Sequence, residues 1–357
     1  EIRLSLVGSE MCIRDRNCSE LKDVTFQEDS QLRTIEGGYS YGAFYGCTSL
    51  TSIEIPASVQ TIGAATFQGC SRLADVKFEE GSKLSAIEGY CCGYGCYGAF
   101  LGCPLITIDI PASVQTIGEA AFQECTKLAT VKFEAGSLLE TLEGYSGSLY
   151  YGAFYGCTSL TSIEIPASVQ TIGAATFQGC SRLADVKFEE GSKLSAIEGY
   201  CCGYGCYGAF LGCPLITIDI PASVQTIGEA AFQECTKLAT VRFEHNSQLK
   251  SIEGGYYRSS SGSDYFSGPI GAFYRLPNLR TVDMSNCTQV ESIGGYAFYG
   301  NSELRLVKIG TPTPPTCDQA AFGVNPQSVL KVPTGCADAY KAAIGWRGFT
   351  SITGLDE

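Results

Sequence analysis

Apolar residues occur along this chain in short runs that alternate with polar ones, and turn residues separate the runs. Within residues 45–67, the run SIEI at 52–55 alternates polar and apolar side chains at a period of two, and Pro56 ends it because proline cannot donate to a sheet ladder. A second apolar pair follows at Val59 and Ile62. No apolar period lasts for the roughly 10–12 residues that identify a helix. The pattern therefore predicts two short strands joined by tight helical or 3-10 turns.

The same pattern recurs throughout the chain. Residues 41–134 reappear as 151–244 with one change, Lys132 to Arg242, and residues 17–322 as a whole divide into about eleven units, alternately short and long. A unit of this size cannot bury its own apolar side, so stacked units must share one continuous core. The repeats predict a predominantly β, right-handed solenoid with two short parallel strands per coil.

The two ends of the chain depart from the repeat. Residues 1–16, EIRLSLVGSEMCIRDR, share no pattern with the rest, resemble translated sequencing-adaptor sequence and open on Glu1. We expect them to be non-native and the true N-terminus to be missing. Residues 323–357 are predicted to form a C-terminal cap with one short helix from Ala337 to Ala343, where good helix formers cluster.

One motif carries a resemblance to a known family. The pattern CxxLxxIxIPxSVxxIG, closed by a phenylalanine, spans Cys47 to Phe67 and Cys157 to Phe177. It resembles the BspA-like class of leucine-rich repeat over about residues 17–322, and residues 332–352 resemble the segment that often caps such arrays. The resemblance implies a leucine-rich-repeat solenoid and a bacterial or protozoan surface protein that works in adhesion. The chain departs from the family pattern in its long Gly-, Tyr- and Cys-rich insertions.

Charge and composition exclude several classes of function. The net charge is −13 with no basic run, which argues against binding to nucleic acid or to an anionic membrane. No apolar stretch approaches the roughly 18 residues that a membrane span needs. An enzyme requires converging reactive groups, whereas this chain repeats single ones and has one histidine, His245, in a turn. We expect no catalysis, no metal site and no cofactor.

Nine of the nineteen cysteines occupy one position of the repeat, just before the leucine of each unit, and we call this set the cysteine column. We expect buried thiols there, because cysteine packs as a small apolar residue. Later units carry Leu276 and Asn301 at this position, so a small or apolar residue is predicted to suffice. The members of the cysteine column are Cys18, Cys47, Cys70, Cys103, Cys125, Cys157, Cys180, Cys213 and Cys235.

Other cysteines lie in the insertions. Residues 89–100 contain Cys91, Cys92 and Cys96 in a CCxxxC spacing, too few and wrongly spaced for a zinc site. The glycines of the same stretch lack the flanking strand and helix of a nucleotide-binding loop. A local disulfide from Cys96 to Cys91 or Cys92 is predicted if the chain reaches an oxidising compartment, and surface thiols otherwise. The copied cysteines are Cys201, Cys202 and Cys206.

Two columns of charge follow the repeat. One outward strand position alternates in sign from Glu54 onward, so each side chain should be neutralised by the coils above and below and should fix the register. Its members are Thr25, Glu54, Lys77, Asp109, Lys132, Glu164, Lys187, Asp219, Arg242, Asp283 and Lys308. A uniformly acidic column on the long units comprises Glu36, Glu88, Glu143, Glu198 and Glu253.

The insertions are the main functional hypothesis. Because a longer loop costs little entropy, they could be tolerated slippage at one edge. Their Tyr, Gly and Ser content instead favours a contact surface like that of antibody loops. We predict a non-enzymatic surface or secreted protein that binds protein or glycan on another cell or on matrix. Binding is expected through this edge and the concave sheet. The export signal is expected to lie in the missing N-terminus. The alternative is a structural or intracellular interaction scaffold. The predicted binding residues are Tyr90, Tyr94, Tyr97, Tyr145, Tyr150, Tyr200, Tyr204, Tyr207, Tyr256, Tyr257 and Tyr265.

Overall fold

A computed structural model describes residues 17–38, 41–92, 95–144, 151–258, 266–318, 320–323 and 326–357. The adaptor-like residues 1–16 lie outside this part of the chain. The chain divides into two compact units, an N-terminal unit of Glu1–Leu183 and a C-terminal unit of Ala184–Glu357. Both units are built from the same repeat, and together they contain about 12 turns of β-solenoid.

The described residues of the N-terminal unit form strands of two or four residues. In chain order these are β1 (Thr34–Ile35), β2 (Ser52–Ile55), β3 (Thr61–Ile62), β4 (Asp75–Phe78), β5 (Ala86–Ile87), β6 (Gly89–Cys92), β7 (Gly95–Gly98), β8 (Thr107–Ile110), β9 (Thr116–Ile117), β10 (Thr130–Phe133), β11 (Thr141–Leu142), β12 (Ser162–Ile165) and β13 (Thr171–Ile172).

The C-terminal unit continues with the same element lengths. Its elements are β14 (Asp185–Phe188), β15 (Ala196–Ile197), β16 (Gly199–Cys202), β17 (Gly205–Gly208), β18 (Thr217–Ile220), β19 (Thr226–Ile227), β20 (Thr240–Phe243), β21 (Ser251–Ile252), β22 (Gly254–Tyr257), β23 (Gly268–Gly271), β24 (Thr281–Met284), β25 (Ser292–Ile293), β26 (Leu306–Ile309), β27 (Thr316–Cys317), β28 (Val329–Val332), α1 (Ala337–Ala342) and β29 (Ser351–Gly354).

Most coils contribute one two-residue and one four-residue strand to parallel pairings, as predicted. The two-residue strands pair in the order β1-β3-β5-β9-β11-β13 in the N-terminal unit and β15-β19-β21-β25-β27 in the C-terminal unit. The four-residue strands pair as β2 with β4, as β8 with β10, and in the order β18-β20-β24-β26-β28-β29. In β2, Ile53 and Ile55 are buried and Ser52 and Glu54 are exposed.

A stack of phenylalanines fills the interior, one from each coil. Neighbouring rings are nearly parallel, with centroids 5.1 to 5.6 Å apart in the N-terminal unit and 5.0 to 5.3 Å apart in the C-terminal unit. Close stacking of this kind adds to the burial of apolar area. The stacks are Phe44, Phe67, Phe100, Phe122, Phe154 and Phe177, and Phe210, Phe232, Phe273, Phe298 and Phe322.

The last coils end on the predicted helix. It closes at Ala342, one residue before the predicted end. The buried side chains of Tyr340 and Trp346 donate to backbone carbonyls of the preceding segment, Tyr340 to Thr311 at 2.6 Å and Trp346 to Pro315 at 3.0 Å. These two bonds fix the helix against the final coils.

The cysteine column is buried from Cys47 onward, as predicted, and its thiols also form hydrogen bonds. Six of these thiols donate a hydrogen bond to the phenylalanine carbonyl of the preceding coil, for example Cys125 to Phe100 at 3.1 Å. The six are Cys70, Cys103, Cys125, Cys157, Cys180 and Cys235. Asn301 occupies the same position and donates its Nδ2 to Phe273 at 3.1 Å. A cysteine or asparagine at this position therefore supplies a buried donor, whereas Leu276 only packs there. Cys18 is only half-buried, since it lies at the start of the described solenoid.

The charge ladder has the predicted register, but only part of the predicted pairing. Asp219 lies opposite Arg242 with an ion pair of 3.5 Å, and Asp283 lies opposite Lys308 with one of 2.8 Å. Lys77 lies opposite Glu54, yet its ammonium group pairs with Asp75 of its own strand at 3.7 Å. The prediction of neutralisation by neighbouring coils is wrong for Lys77, because a residue two positions earlier on a strand faces the same side. Lys187 likewise pairs with Asp185.

Candidate binding edge

Three of the insertions fold as antiparallel β-hairpins, a geometry that the sequence analysis did not predict. They are β6–β7, β16–β17 and β22–β23, and each leaves the coil directly after a two-residue strand. The first and second hairpins have the same sequence and the same register, with Tyr90 opposite Tyr97 and Tyr200 opposite Tyr207. The insertions therefore begin and end at a fixed place in the coil.

A disulfide closes each of the two copied hairpins. Cys91 bonds to Cys96 and Cys201 bonds to Cys206, with Cα atoms 4.2 and 4.1 Å apart. Of the two partners predicted for Cys96, the structure selects Cys91, because the hairpin register puts these two residues directly opposite each other. Cys92 stands opposite Gly95 and keeps a free thiol.

Glycines hold the base of the hairpin against the next coil. Gly89 and Gly98 face each other across the first hairpin. A Cβ atom on Gly89 would overlap the carbonyl oxygen of Glu119, and one on Gly98 would overlap that of Ala120. The buried carboxylate of Glu119 also accepts the N–H of Cys91 at 3.1 Å. The hairpin is thus seated on the neighbouring coil, and the recurring glycines at both ends of each insertion were the signal that could have indicated it.

The predicted tyrosines differ in exposure. Four are exposed, Tyr204 most of all at 63%. Three are half-buried, because the hairpins lie over the coils instead of standing free. The exposed set is Tyr90, Tyr200, Tyr204 and Tyr256; the half-buried set is Tyr97, Tyr207 and Tyr257; and Tyr94, Tyr145, Tyr150 and Tyr265 lie outside the described residues.

Successive hairpins of the C-terminal unit contact each other. The N–H of Phe266 donates to the carbonyl of Gly203 at 2.7 Å, which joins the third hairpin to the tip of the second. The rings of Phe266 and Tyr257 lie 6.0 Å apart and pack on a small apolar cluster that includes the Cys201 side of the disulfide. These two insertions therefore form one continuous layer, which the sequence analysis missed.

Acidic side chains near the insertions accept hydrogen bonds from backbone N–H groups. Glu143 accepts the N–H of Glu119, and Glu229 accepts the N–H of Cys201. Burial raises the pKa of both carboxyls above the usual value. Glu119 and Glu229 lie one repeat position after the acidic column, because the pairing of Ile87 with Ile117 puts Glu88 level with Gly118. Glu143 and Glu229 thus satisfy backbone N–H groups of the preceding coil.

No group of three or more His, Cys, Asp or Glu side chains within the described ranges could hold a metal ion. Across the same ranges, no helix has the length and apolar character to cross a bilayer.

Comparison with protein families gives one match that extends over most of the chain. The model of the BspA type leucine rich repeat region matches in six copies, over residues 16–96, 40–146, 96–206, 147–269 and 206–328. No curated protein matches the chain.

Several solved structures are similar to this chain. A leucine-rich repeat protein from Bacteroides ovatus ATCC 8483 is 23% identical, with 90% of this chain and 78% of that chain covered and a TM-score of 0.46. A leucine rich cell surface protein from Faecalibacterium prausnitzii A2-165 is 20% identical, with 92% and 88% covered and a TM-score of 0.39. The pneumococcal vaccine antigen PcpA is 16% identical, with 86% and 80% covered and a TM-score of 0.39.

Proposed function

This chain belongs to the BspA-type leucine-rich repeat family, and from that premise we propose that it is a binding protein that works outside the cell. Its role is adhesion to protein or glycan on another cell or on extracellular matrix, without catalysis. Each unit binds through its own hairpins, β6–β7 in the N-terminal unit and β16–β17 with β22–β23 in the C-terminal unit, and we call these hairpins with their exposed tyrosines the hairpin edge.

The observation that carries this proposal is the presentation of tyrosine on closed hairpins. Tyr90, Tyr200 and Tyr204 are exposed on hairpins whose two strands are joined by a disulfide and whose base is packed on the next coil. A side chain that is already positioned loses little freedom on binding, which favours affinity. Tyrosine adds a large amphipathic contact area at low entropic cost.

The disulfides favour the extracellular role over the intracellular scaffold. Structural disulfides persist in oxidising compartments and are rare in a reducing cytosol. Both copied insertions carry the same bond, Cys91 to Cys96 and Cys201 to Cys206. A protein of this kind is expected to meet its partners after export.

The test replaces the exposed tyrosines and leaves the hairpins intact. We expect a triple variant, Tyr90→Ser, Tyr200→Ser and Tyr204→Ser, to lose at least tenfold in binding to immobilised matrix proteins and to cells. The matched control is Ile106→Ser with Ile216→Ser, because these two side chains are 55% and 56% exposed but lie outside the hairpins. Thermal unfolding of each variant establishes that the fold is retained.

The control variant should bind as the parent does. If the triple variant also binds as the parent does, the insertions are tolerated slippage and the proposal fails. Export is tested separately, by following secretion of a tagged chain expressed from its native gene. Retention in the cytosol would favour the scaffold instead.

A further inference from the structure

The residue just before the cysteine column has a positive φ in every coil from Asn17 to Gly300. This region suits glycine and strains other residues. Most coils place glycine there, but Glu234 and Arg275 occupy it in two successive coils with φ of 59° and 57°. Arg275 is the one basic residue at this position of the repeat. The residues that occupy it are Asn17, Gly46, Gly69, Gly102, Glu124, Gly156, Gly179, Gly212, Glu234, Arg275 and Gly300.

These two charged residues stand between coils that have no side chain at the same position. Gly212 precedes them and Gly300 follows them, and together they border an open depression of about 540 Å³ that Thr236 and Pro277 also line. Within it, the guanidinium of Arg275 lies 4.0 Å from the carboxylate of Glu234. The backbone is held in the strained conformation by N–H bonds to the next coil, from Glu234 to Tyr274 at 3.1 Å and from Arg275 to Tyr299 at 3.0 Å.

Aromatic rings continue from the depression to the hairpin edge. The Arg275 guanidinium lies over the ring of Tyr274 at 5.1 Å, and Tyr274 stacks on Tyr299 at 6.4 Å. Tyr299 contacts Tyr296 at 5.4 Å, and Tyr296 contacts Tyr256 of the third hairpin at 6.1 Å. Tyr299 and Tyr256 are both exposed. The charged pair and the edge are thus parts of one surface of the C-terminal unit.

We propose that this surface is a subsite for an uncharged sugar, with Glu234 and Arg275 binding two adjacent hydroxyl groups and Tyr299 packing against the apolar face of the ring. A hydroxyl both donates and accepts, so one can donate to the carboxylate while its neighbour accepts from the guanidinium. Hydrogen bonds to ionised groups are the strong ones. This subsite deepens the proposed function by naming the class of ligand. It rests on the proposed function in one respect, that the sugar is part of an extracellular glycan.

The charges favour an uncharged ligand over a charged one. Glu234 and Arg275 neutralise each other, so neither an acidic nor a basic group gains a full opposite charge from the site. An acidic ligand would have to displace Glu234, and a basic one would have to displace Arg275. Tyr299 is exposed and precedes Gly300, which lines the depression. An aromatic ring near paired donors and acceptors suits a sugar ring, which has C–H groups on its faces and hydroxyls around its rim.

The N-terminal unit contains a natural control for this subsite. Residues 123–128 repeat the sequence of 233–238, including Glu124 in place of Glu234. The following coils carry Gly156 in place of Arg275 and Gln178 in place of Tyr299. The N-terminal copy therefore has the carboxylate without the guanidinium or the exposed ring.

The experiment uses the full chain, a printed array of neutral and sialylated oligosaccharides, and titration of the neutral oligosaccharide that is bound best. Arg275→Gly should weaken this binding at least tenfold, or about 1.4 kcal/mol, while its melting temperature stays the same or rises, because glycine relieves the positive φ. Arg275→Lys should weaken binding less. Gly156→Arg with Gln178→Tyr should add a second binding site to the N-terminal unit, seen as a doubled stoichiometry.

The outcomes separate this proposal from the proposed function. Loss of sugar binding in Arg275→Gly with unchanged stability supports the subsite. Sugar binding that survives in Arg275→Gly but disappears in the triple tyrosine variant overturns the subsite and leaves the hairpin edge standing. A chain that binds none of the neutral oligosaccharides, or binds sialylated ones alone, overturns the subsite, and retained binding to matrix proteins then points to a protein partner.

Discussion

Replacing Asn301 by alanine should destabilise the C-terminal unit far more than replacing a member of the cysteine column. Asn301 is completely buried and makes two hydrogen bonds to backbone. Its Nδ2 donates to the carbonyl of Phe273 at 3.1 Å, and its Oδ1 accepts the N–H of Leu276 at 2.8 Å. Alanine removes both partners at once and cannot replace either.

The expected magnitude follows from the two backbone groups that lose a partner. A buried polar group left without a hydrogen bond costs about 1–3 kcal/mol, so Asn301→Ala should lower the free energy of unfolding by about 2–6 kcal/mol. Cys125→Ala leaves a small cavity and removes one weak donor, at an expected cost of about 1–2 kcal/mol. The carbonyl of Phe100, which Cys125 contacts, keeps a second donor, the N–H of Cys103 at 3.0 Å.

Urea unfolding of the two variants measures the difference, with Asn301→Cys as the matched intermediate. Cysteine restores a donor for Phe273, as in the cysteine column, but leaves the Leu276 N–H without an acceptor, so its cost should lie between the other two. Hydrogen exchange of the Leu276 amide should accelerate in both Asn301 variants. Equal costs for Asn301→Ala and Cys125→Ala, or an amide of Leu276 that stays protected, would refute the hydrogen-bond reasoning.

Three further predictions follow from the same structure. The buried thiols of the cysteine column should resist alkylation at pH 8, because burial raises the pKa to about 12 in Cys70 and Cys180, and labelling as fast as that of Cys92 would contradict this. Burial raises the pKa of Asp283, but the hydrogen bonds from Lys308 and Ser285 outweigh burial and lower this pKa below its usual value. The ion pair therefore stabilises the fold above about pH 4, and this stabilisation fades as the pH falls further. The difference in unfolding free energy between the parent and Lys308→Met should shrink in acid, and a difference that stays constant from pH 7 to pH 2 would exclude the pair. Gly254→Ala should destabilise the third hairpin, because the new Cβ would overlap the carbonyl oxygen of Gly295 and lie 3.0 Å from that of Ile270. The control Gly255→Ala places its Cβ where no atom lies within 4 Å, so thermal unfolding should show a neutral or slightly stabilising effect.

The regular part of the fold could be predicted because each repeat position has one physical requirement. Ile53 and Ile55 alternate with polar residues at the period of a strand, and the recurrence of the unit requires stacking. The same logic gave the register of the charge ladder, in which Glu54 stands opposite Lys77. Periodicity does not determine where a flexible lysine points, and Lys77 turns to Asp75 of its own strand.

The candidate site was predicted only in outline. Composition identified the insertions and their tyrosines, but a Gly-rich segment has no apolar period from which a hairpin register could be read. The exposure of Tyr200 and the partial burial of Tyr207 depend on how the second hairpin lies on the solenoid and meets Phe266 of the third. These are contacts between insertions, and no single insertion encodes them.

The departures from the repeat in the C-terminal unit are coupled to one another. In the other turns of the column the cysteine N–H donates to the phenylalanine three residues earlier, as Cys125 does to Phe122 at 3.1 Å. In the turn that carries Arg275 and Pro277, the N–H of Leu276 instead bonds to Asn301 of the next coil. Asn301 thus offsets the altered turn while also supplying the donor that a cysteine supplies elsewhere. The replacement of cysteine by Leu276 and the presence of Asn301 in the next coil are therefore coupled through these two hydrogen bonds.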